Sequence, residues 1–556
     1  MRRRQRNSPF IALLVALAFM VGGLYVCVAP GWFVWGVALM VLGFALAIRS
    51  LYLHLMGGLE TATQINLLHE SRVLSGDYGA ARLAHPTDGF VRAMIEARRG
   101  LFLGTLESKK LFYDPFARGN GHMLAYAPAR TGKTTSLVVP ALLHWTSGSV
   151  IVTDVKGELT ELTASWRRKD GQRTLILNPF GARGIPGMRF NPLRVLIEDM
   201  MKNGGREVHA LAKLIALQLI PERPDGGDGI FFRNGGRRLL VTFMLYLAAF
   251  EPARCTLPGL RSAVWSSEAE KYAIAAKMQG SKLFAGLIRE YGNALADGLE
   301  PEYVKTFGAF RDNAMNALEL YEAHTDFGKS LMESDFTFAD VLDGKTTLYL
   351  ILPESKLETH GPWMGLIVML LLETVAASAT MHERRTRLLF LLEEMGNLGR
   401  LPNLGKALSL LPGKGVRCWM IFQSRRQSLD IYGPNIAGLI EEQSSVIQAW
   451  SIRGLEDRKA WSARIGNATR KGRSVARDAE NLFSPWRLSV GERGFPVLSP
   501  DEIGRLPEHE QLIAIAGQTV IRAQKLPYFA EPIWAKRAGN EKYSARPDTS
   551  AKARAG

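Results

Sequence analysis

Two long uncharged apolar runs open the chain, and behind them short apolar runs alternate with helical patterns before giving way to helices alone and then resuming. Residues 10 to 28 carry no charge, and 19 residues of helix reach about 28 Å, the thickness of a bilayer core. Pro30-Gly31 makes a turn, and Trp32 to Ile48 forms a second uncharged run closed by Arg49. The pattern predicts a membrane hairpin with helices over 10–28 and 32–48. Arg2, Arg3, Arg4 and Arg6 before it and Arg49 after it place both ends on the cytoplasmic side. The competing reading, a cleaved signal peptide, expects an apolar region of only about 7–15 residues and no second run behind it.

Further on, His122–Tyr126, Ser149–Val155, Thr174–Leu177, Thr347–Leu352, Arg387–Leu392 and Val416–Phe422 read as buried strands, with a shorter one at Leu101–Gly104. Strands alternating with helices imply a parallel sheet and an α/β fold. Between about 195 and 340, Glu207–Ala216 and Arg237–Tyr246 keep helical spacing and strands are hard to find, which predicts an all-helical insertion. Pro362–Leu372 is apolar, but Glu373 cuts it well short of a membrane span, so a helix covering the sheet is expected. The last 20 residues, rich in Lys, Arg, Ala and Gly, are expected to be disordered.

Composition changes this picture in two ways. The 556 residues carry a formal charge of +16, which calls for an anionic partner, nucleic acid or lipid, unless the excess serves membrane orientation alone. The three cysteines, Cys27, Cys255 and Cys418, lie far apart, so neither a disulfide framework nor a zinc site is indicated.

The chemistry begins at Ala127-Pro128-Ala129-Arg130-Thr131-Gly132-Lys133-Thr134-Thr135, between a strand and a helical run. Such a loop turns backbone N–H groups towards phosphates, its lysine reaches the β and γ oxygens, and the next hydroxyl holds Mg²⁺. Ala127 stands where the pattern wants glycine, a strain of about 1–2 kcal/mol if the backbone there is left-handed. A chance Thr-Gly-Lys-Thr is the plain alternative, and the strand and helix around it argue against that. Glu393 and Glu394 end another strand. Nucleotide hydrolysis needs one acid near Mg²⁺ and another on the attacking water, and the pair fits in that order, although acids at strand ends are often only solvated. Gln423 ends a third strand, where an amide reaches the γ-phosphate or its water. Between Arg453 and Arg477 eight Lys or Arg face two acids, with Trp450 and Trp461 nearby, which suits DNA phosphates and base stacking as well as it suits a solvated basic face.

Together these residues resemble the type IV coupling proteins, membrane-anchored ATPases that link DNA-processing complexes to conjugation and type IV secretion channels. The resemblance rests on Gly79-Ala80-Ala81-Arg82, Asp154-Val155-Lys156-Gly157-Glu158-Leu159, Phe190-Asn191-Pro192-Leu193, Leu392-Glu393-Glu394 with Leu398-Gly399, Phe422-Gln423-Ser424 with Tyr432-Gly433, and Pro500-Asp501-Glu502-Ile503. It implies a RecA-like P-loop NTPase domain (52–195 and 341–535) with an inserted all-alpha domain (196–340), an N-terminal transmembrane hairpin (1–51) and a basic tail (536–556). It also implies ATP and Mg²⁺ as cofactors, homohexamers, and transport of single-stranded DNA with its relaxase into the channel from the bacterial inner membrane.

On the same basis Gly132, Lys133 and Thr134 are nucleotide and magnesium contacts, Glu394 the catalytic carboxylate and Gln423 the sensor. Ala127, Glu393 in place of aspartate, and a short external loop depart from the family pattern. An arginine that serves a neighbouring subunit's nucleotide is absent from its usual place, where Lys414 and Arg417 are substitutes or plain surface charges. The alternative function is a nucleotide-binding membrane docking protein with weak or absent hydrolysis. A chromosome translocase would need more membrane helices and a winged-helix end.

Overall fold

The computed structural model describes residues 9–70, 76–222, 229–342, 345–377, 387–476 and 487–539. They fall into two compact units, Met1–Arg82 with Ile465–Val497, and Leu83–Arg464 with Leu498–Gly556.

Thirteen strands are described: β1 (Leu101–Leu106), β2 (Lys109–Tyr113), β3 (His122–Tyr126), β4 (Ser149–Val155), β5 (Arg173–Leu177), β6 (Thr346–Leu352), β7 (Leu388–Leu392), β8 (Val416–Phe422), β9 (Ser444–Trp450), β10 (Asn467–Ala476), β11 (Arg487–Pro496), β12 (Glu510–Ile515) and β13 (Ile521–Gln524). All but β10 and β11 build one sheet in the second unit, in the order β2-β1-β13-β12-β9-β3-β8-β7-β4-β6-β5. From β9 to β5 every pairing is parallel. The expected α/β architecture is therefore present. β3, β6, β7 and β8 are buried along their whole length, as continuous apolar strands covered on both faces must be. Parallel strands bring their carboxyl ends to one edge, the edge where open α/β sheets hold ligands.

The antiparallel extension β12-β13-β1-β2 was not foreseen beyond part of β1, because Lys109, Lys110, Gln511 and Arg522 interrupt its apolar pattern. One of those polar residues makes the joint between the two halves. Gln511 accepts hydrogen bonds from Gln448 Nε2 (2.9 Å) and Trp450 Nε1 (2.7 Å) on β9 and donates to the Leu103 carbonyl of β1 (2.7 Å).

Between β5 and β6 the described residues form helices and turns without strands, from Arg194–Asn203 to Phe338–Leu342. Ile230–Phe250 is the long central helix of this region, buried continuously from Leu239 to Ala248. The apolar run at Pro362–Leu372 lies in the helix Leu357–Ala377, which is mostly buried, with Trp363 only 1% exposed. It is long and apolar enough to cross a membrane, but its burial makes it the helix that covers the core, as expected.

The first unit carries the helices Pro9–Cys27 and Phe33–Glu70. A Cβ added at Gly23 would strike Gly36 and Met40, and one at Gly43 would strike Ala16 and Met20, so these glycines let the two backbones approach closely. Leu17, Val21, Leu24, Val41 and Phe44 point outward and are exposed. Phe33–Tyr52 is long and apolar enough to cross a membrane, and this N-terminal pair fits a membrane anchor. The second helix passes residue 51, where the hairpin was expected to end, and continues to Glu70. Residues 52–70 are thus helix outside the sheet. β10 and β11 form a separate ribbon in this unit, to which Ala80 adds a bridge at Ala468. Of the tail expected to be disordered, Lys536 and Arg537 end the helix Pro532–Arg537, and residues 540–556 lie outside the described residues.

Arg167 is fully buried in the helix Glu158–Lys169 and donates to the carbonyls of Leu142 (2.8 Å) and Trp145 (2.9 Å) and to Thr347 Oγ1. It ties the end of the helix behind the phosphate loop to β6. Replacing Arg167 with Ala leaves those acceptors buried without donors and is expected to lower stability by about 3 kcal/mol. A urea midpoint equal to that of the wild type would contradict the assignment.

Candidate functional site

The loop Ala127–Thr135 leaves β3 at the carboxyl edge of the sheet and enters a helical segment that runs from Thr134 to His144. Its first turn is wide, with a π pattern over Thr134–Val138. Pro140 lacks the N–H that Ser136's carbonyl would otherwise receive, which favours the wider turn. Thr131 Oγ1 donates to the Pro128 carbonyl (2.7 Å) and Thr135 Oγ1 to the Gly132 carbonyl (3.1 Å), closing the loop on itself. Ala129 and Arg130 form its exposed crest.

The strain expected from Ala127 does not arise. The left-handed positions of the loop are Arg130 (φ 63°) and Gly132 (φ 83°), while Ala127 is absent from the positive-φ residues. Ala127 is fully buried, and its N–H donates to the Phe422 carbonyl (2.8 Å), so it still extends β3.

Two carboxylates meet the loop from the end of β7. Lys133 Nζ forms an ion pair with Glu394 Oε1, and Thr134 Oγ1 donates to Glu393 Oε1 at 2.5 Å. Gln423, at the end of β8, donates to Glu394 Oε2 at 3.4 Å. Lys133, Thr134, Glu393, Glu394 and Gln423 therefore stand in one cluster, although the loop and the carboxylates are some 260 residues apart in sequence. Glu393 is 3% exposed and its N–H donates to Thr153 Oγ1 (2.8 Å). Burial pushes its carboxyl up to about 7, against the hydrogen bond from Thr134. Burial also lowers the Lys133 ammonium, against the attraction of Glu393.

The set fits Mg²⁺ with a nucleoside triphosphate. No group of three or more His, Cys, Asp or Glu side chains among the described residues makes a metal cage. A phosphate-bound Mg²⁺ needs none, since it keeps waters and takes one or two protein oxygens, a demand that the neighbouring oxygens of Thr134 and Glu393 would meet. Asp154, the acid ending β4, is fully buried and accepts from Leu159 N, Thr160 N and Thr160 Oγ1. It caps the next helix and is spent on that.

Sequence reasoning missed Lys525, just past β13. Its Nζ donates to the Thr131 carbonyl (3.3 Å) and lies 4.4 Å from the centre of the Trp450 ring, with its pKa lowered to about 8 by burial. Only an antiparallel extension returning beside β9 brings it there. Also unforeseen is a cavity of about 470 Å³ beside Pro128 and Gln423. On its wall Glu441 accepts from Tyr126 Oη (2.9 Å), Arg425 Nε (2.7 Å) and Arg464 (3.1 Å).

Trp450 and Trp461, read as base-stacking residues, line this cavity and are 1% and 5% exposed, so neither offers a free face. Of the basic residues between Arg453 and Arg477, Arg477 lies outside the described residues. Arg417 is neither a surface charge nor near Gln423. It sits at the opposite end of β8, is 6% exposed, donates to the carbonyls of Pro115 (2.7 Å) and Pro412 (2.9 Å), and covers the Phe116 ring. Lys414 donates to the Ala376 carbonyl.

Comparison with known proteins agrees with this geometry. Residues 87–551 match the family described as Type IV secretory system Conjugative DNA transfer. The chain is similar to protein VirD4 of Agrobacterium fabrum, with 27% identity over 425 residues that cover 74% of this chain and 59% of that one. With conjugal transfer protein TraG of Escherichia coli it shares 26% identity over 475 residues, covering 79% and 72%. This chain thus spans less than two thirds of the VirD4 relative's length. Among solved structures, plasmid coupling protein TrwB in complex with ADP and Mg²⁺ superimposes with a TM-score of 0.56 at 16% identity, covering 80% of this chain and 94% of that one. The likeness extends to the fold.

Two outcomes follow from the geometry. Ala127→Gly gives up a buried methyl and adds unfolded freedom without relieving strain, so thermal melting should show a loss of about 0.5–1 kcal/mol; a gain would mean the loop is strained after all. Glu393 has a folded pKa above its ordinary 4.5, so stability present below that pH is lost as pH rises towards about 7. Glu393→Gln should flatten that fall in stability, as read by denaturant midpoints across this range, and an unchanged slope would contradict the burial of its charge.

Proposed function

We propose that this chain, which belongs to the type IV secretory system conjugative DNA transfer family, is an ATP-driven coupling protein. It recruits a relaxase–DNA complex, or protein effectors, and drives their transfer into a type IV secretion channel. The observation that carries this reading is the convergence of Lys133 and Thr134 with Glu393, Glu394 and Gln423 at the carboxyl edge of the sheet. A loop lysine and hydroxyl bind nucleotide. Adding a second carboxylate and an amide supports turnover rather than binding alone, and so favours a motor over a docking protein.

Bound Mg²⁺–ATP supplies the γ-phosphoryl group that water attacks. Lys133 is the cation for the β and γ oxygens, and Thr134 with Glu393 is the pair for Mg²⁺. Glu394, released from Lys133 when phosphate takes its place, orients the attacking water and accepts its proton. Gln423 is joined to the helix Arg425–Glu442, because its N–H donates to Gln427 Oε1 (2.9 Å) and Ser424 Oγ caps Gln427 N (3.2 Å). A change felt at Gln423 therefore passes to the first part of that helix, ahead of its break at Gly433 (φ 75°).

The likeness to VirD4 and TraG supports single-stranded DNA, relaxosome proteins and channel components as partners, with a homohexamer as the working form. The N-terminal helix pair supports a two-pass inner-membrane anchor with both termini and the sheet domain in the cytoplasm.

Lys133→Ala should abolish ATP turnover and weaken nucleotide binding, while Glu394→Gln should keep binding and lower hydrolysis by about a hundredfold or more. Fluorescent-nucleotide binding beside phosphate release separates the two. Equal loss of binding in both variants would show that Glu394 holds the nucleotide and does not act on water.

A further inference from the structure

A second cavity, of about 430 Å³, opens far from the phosphate loop. Thr146 and Ser147 on its wall directly precede β4, so it lies at the amino edge of the parallel strands, opposite the edge that holds Lys133 and Glu394. Arg98, Arg99, Lys110 and Arg537 also line it, and Glu531 is its only acid. Glu531 is committed to Lys110 at 2.5 Å. Arg537 donates to the Leu143 carbonyl (2.8 Å) and covers the Trp166 ring at 4.3 Å, which fixes its guanidinium in place. Arg98 and Arg99 are exposed, and neither guanidinium has an ion pair among the described residues.

The floor is rigid and uncharged. His144 stacks on Phe112 (4.6 Å between centres), meets the edge of Trp534 (6.2 Å), and is bonded through Nε2 to the Arg98 carbonyl (2.8 Å). Burial lowers its pKa, and Arg537 and Lys110 lower it further, so it stays neutral near pH 7. Two free guanidiniums, two hydroxyls and one net positive wall over an aromatic floor offer the charge and the donors that a phosphate group takes. Beside it Ile533, on the rim, is 56% exposed. An exposed aliphatic side chain next to unpaired cations suits an acyl and headgroup boundary better than a free anion or a nucleic acid strand, whose bases stack on aromatic rings instead.

We propose that this cavity binds the phosphate headgroup of an anionic phospholipid, with Arg98 and Arg99 as the principal contacts and Ile533 against the acyl boundary. The site is independent of nucleotide chemistry and gives the sheet domain its own hold on the bilayer surface.

The test uses the full chain in neutral detergent, titrated with dioctanoyl-phosphatidylglycerol or dioctanoyl-phosphatidylcholine and read as discrete lipid adducts by native mass spectrometry. The wild type should prefer the glycerol lipid. Arg98→Gln with Arg99→Gln should weaken its binding by about thirtyfold, as expected for two cations lost near a charged surface. Lys109→Gln, which removes an exposed cation outside the cavity, should leave it unchanged. Equal lipid binding in all three proteins would place the lipid on the membrane helices and overturn the proposal. So would displacement of the lipid by millimolar inorganic phosphate alone, which would make the site one for free anions. If a short oligothymidine, and not the lipid, loses affinity in the double variant, the cavity serves nucleic acid and the proposal fails.

Discussion

The site depends on one register. β8 lies between β3 and β7 and pairs in parallel with both, with Tyr126 opposite Phe422 and Leu392 opposite Met420. Two residues past Leu392, Glu394 comes level with Phe422 and so with the end of β3, where the phosphate loop begins. That alignment brings a lysine and two carboxylates, distant in sequence, within one ion pair and one hydrogen bond of each other. A shift of β8 by one residue would move the carboxylates by about 3.3 Å and turn alternate side chains to the opposite face, so the pairing would be lost.

The cluster is electrostatically self-satisfied without nucleotide. Lys133 faces Glu394, and Thr134 faces Glu393, so neither the buried ammonium nor the two carboxylates lack a partner. A bound phosphate group would compete with Glu394 for Lys133, and Thr134 with Glu393 would be the pair to hold its Mg²⁺. A glycine in place of Ala127 has no part in that exchange, because Ala127 remains strand while Arg130 and Gly132 make the turn. The missing glycine is therefore no sign of an impaired loop.

Much of this was legible in the sequence, and for a physical reason. Strands buried on both faces must be apolar throughout, so β3 to β8 stood out, and a parallel sheet then required their polar ends to meet at one edge. The two helices of the N-terminal pair were visible through their length and lack of charge. β12, β13 and β2 were not visible, because half-exposed antiparallel strands mix Lys, Arg and Gln with apolar residues and do not differ from loops in composition. Lys525 was hidden with them, since its place over the loop depends on that return. Arg417 misled in the other direction: a guanidinium reads as surface, but this one is buried where backbone carbonyls take up its N–H groups. Trp450 was similarly read by type, and its indole N–H turned out to be committed to Gln511.

The central claim is that the Lys133–Glu394 cluster turns over nucleotide in the service of DNA transport. It is tested most directly by the steady-state rate of phosphate release from the purified full chain at saturating Mg²⁺–ATP, with and without single-stranded DNA. The account predicts measurable turnover that rises when DNA is added. Tight nucleotide binding with no phosphate release under either condition would contradict it and leave a docking protein.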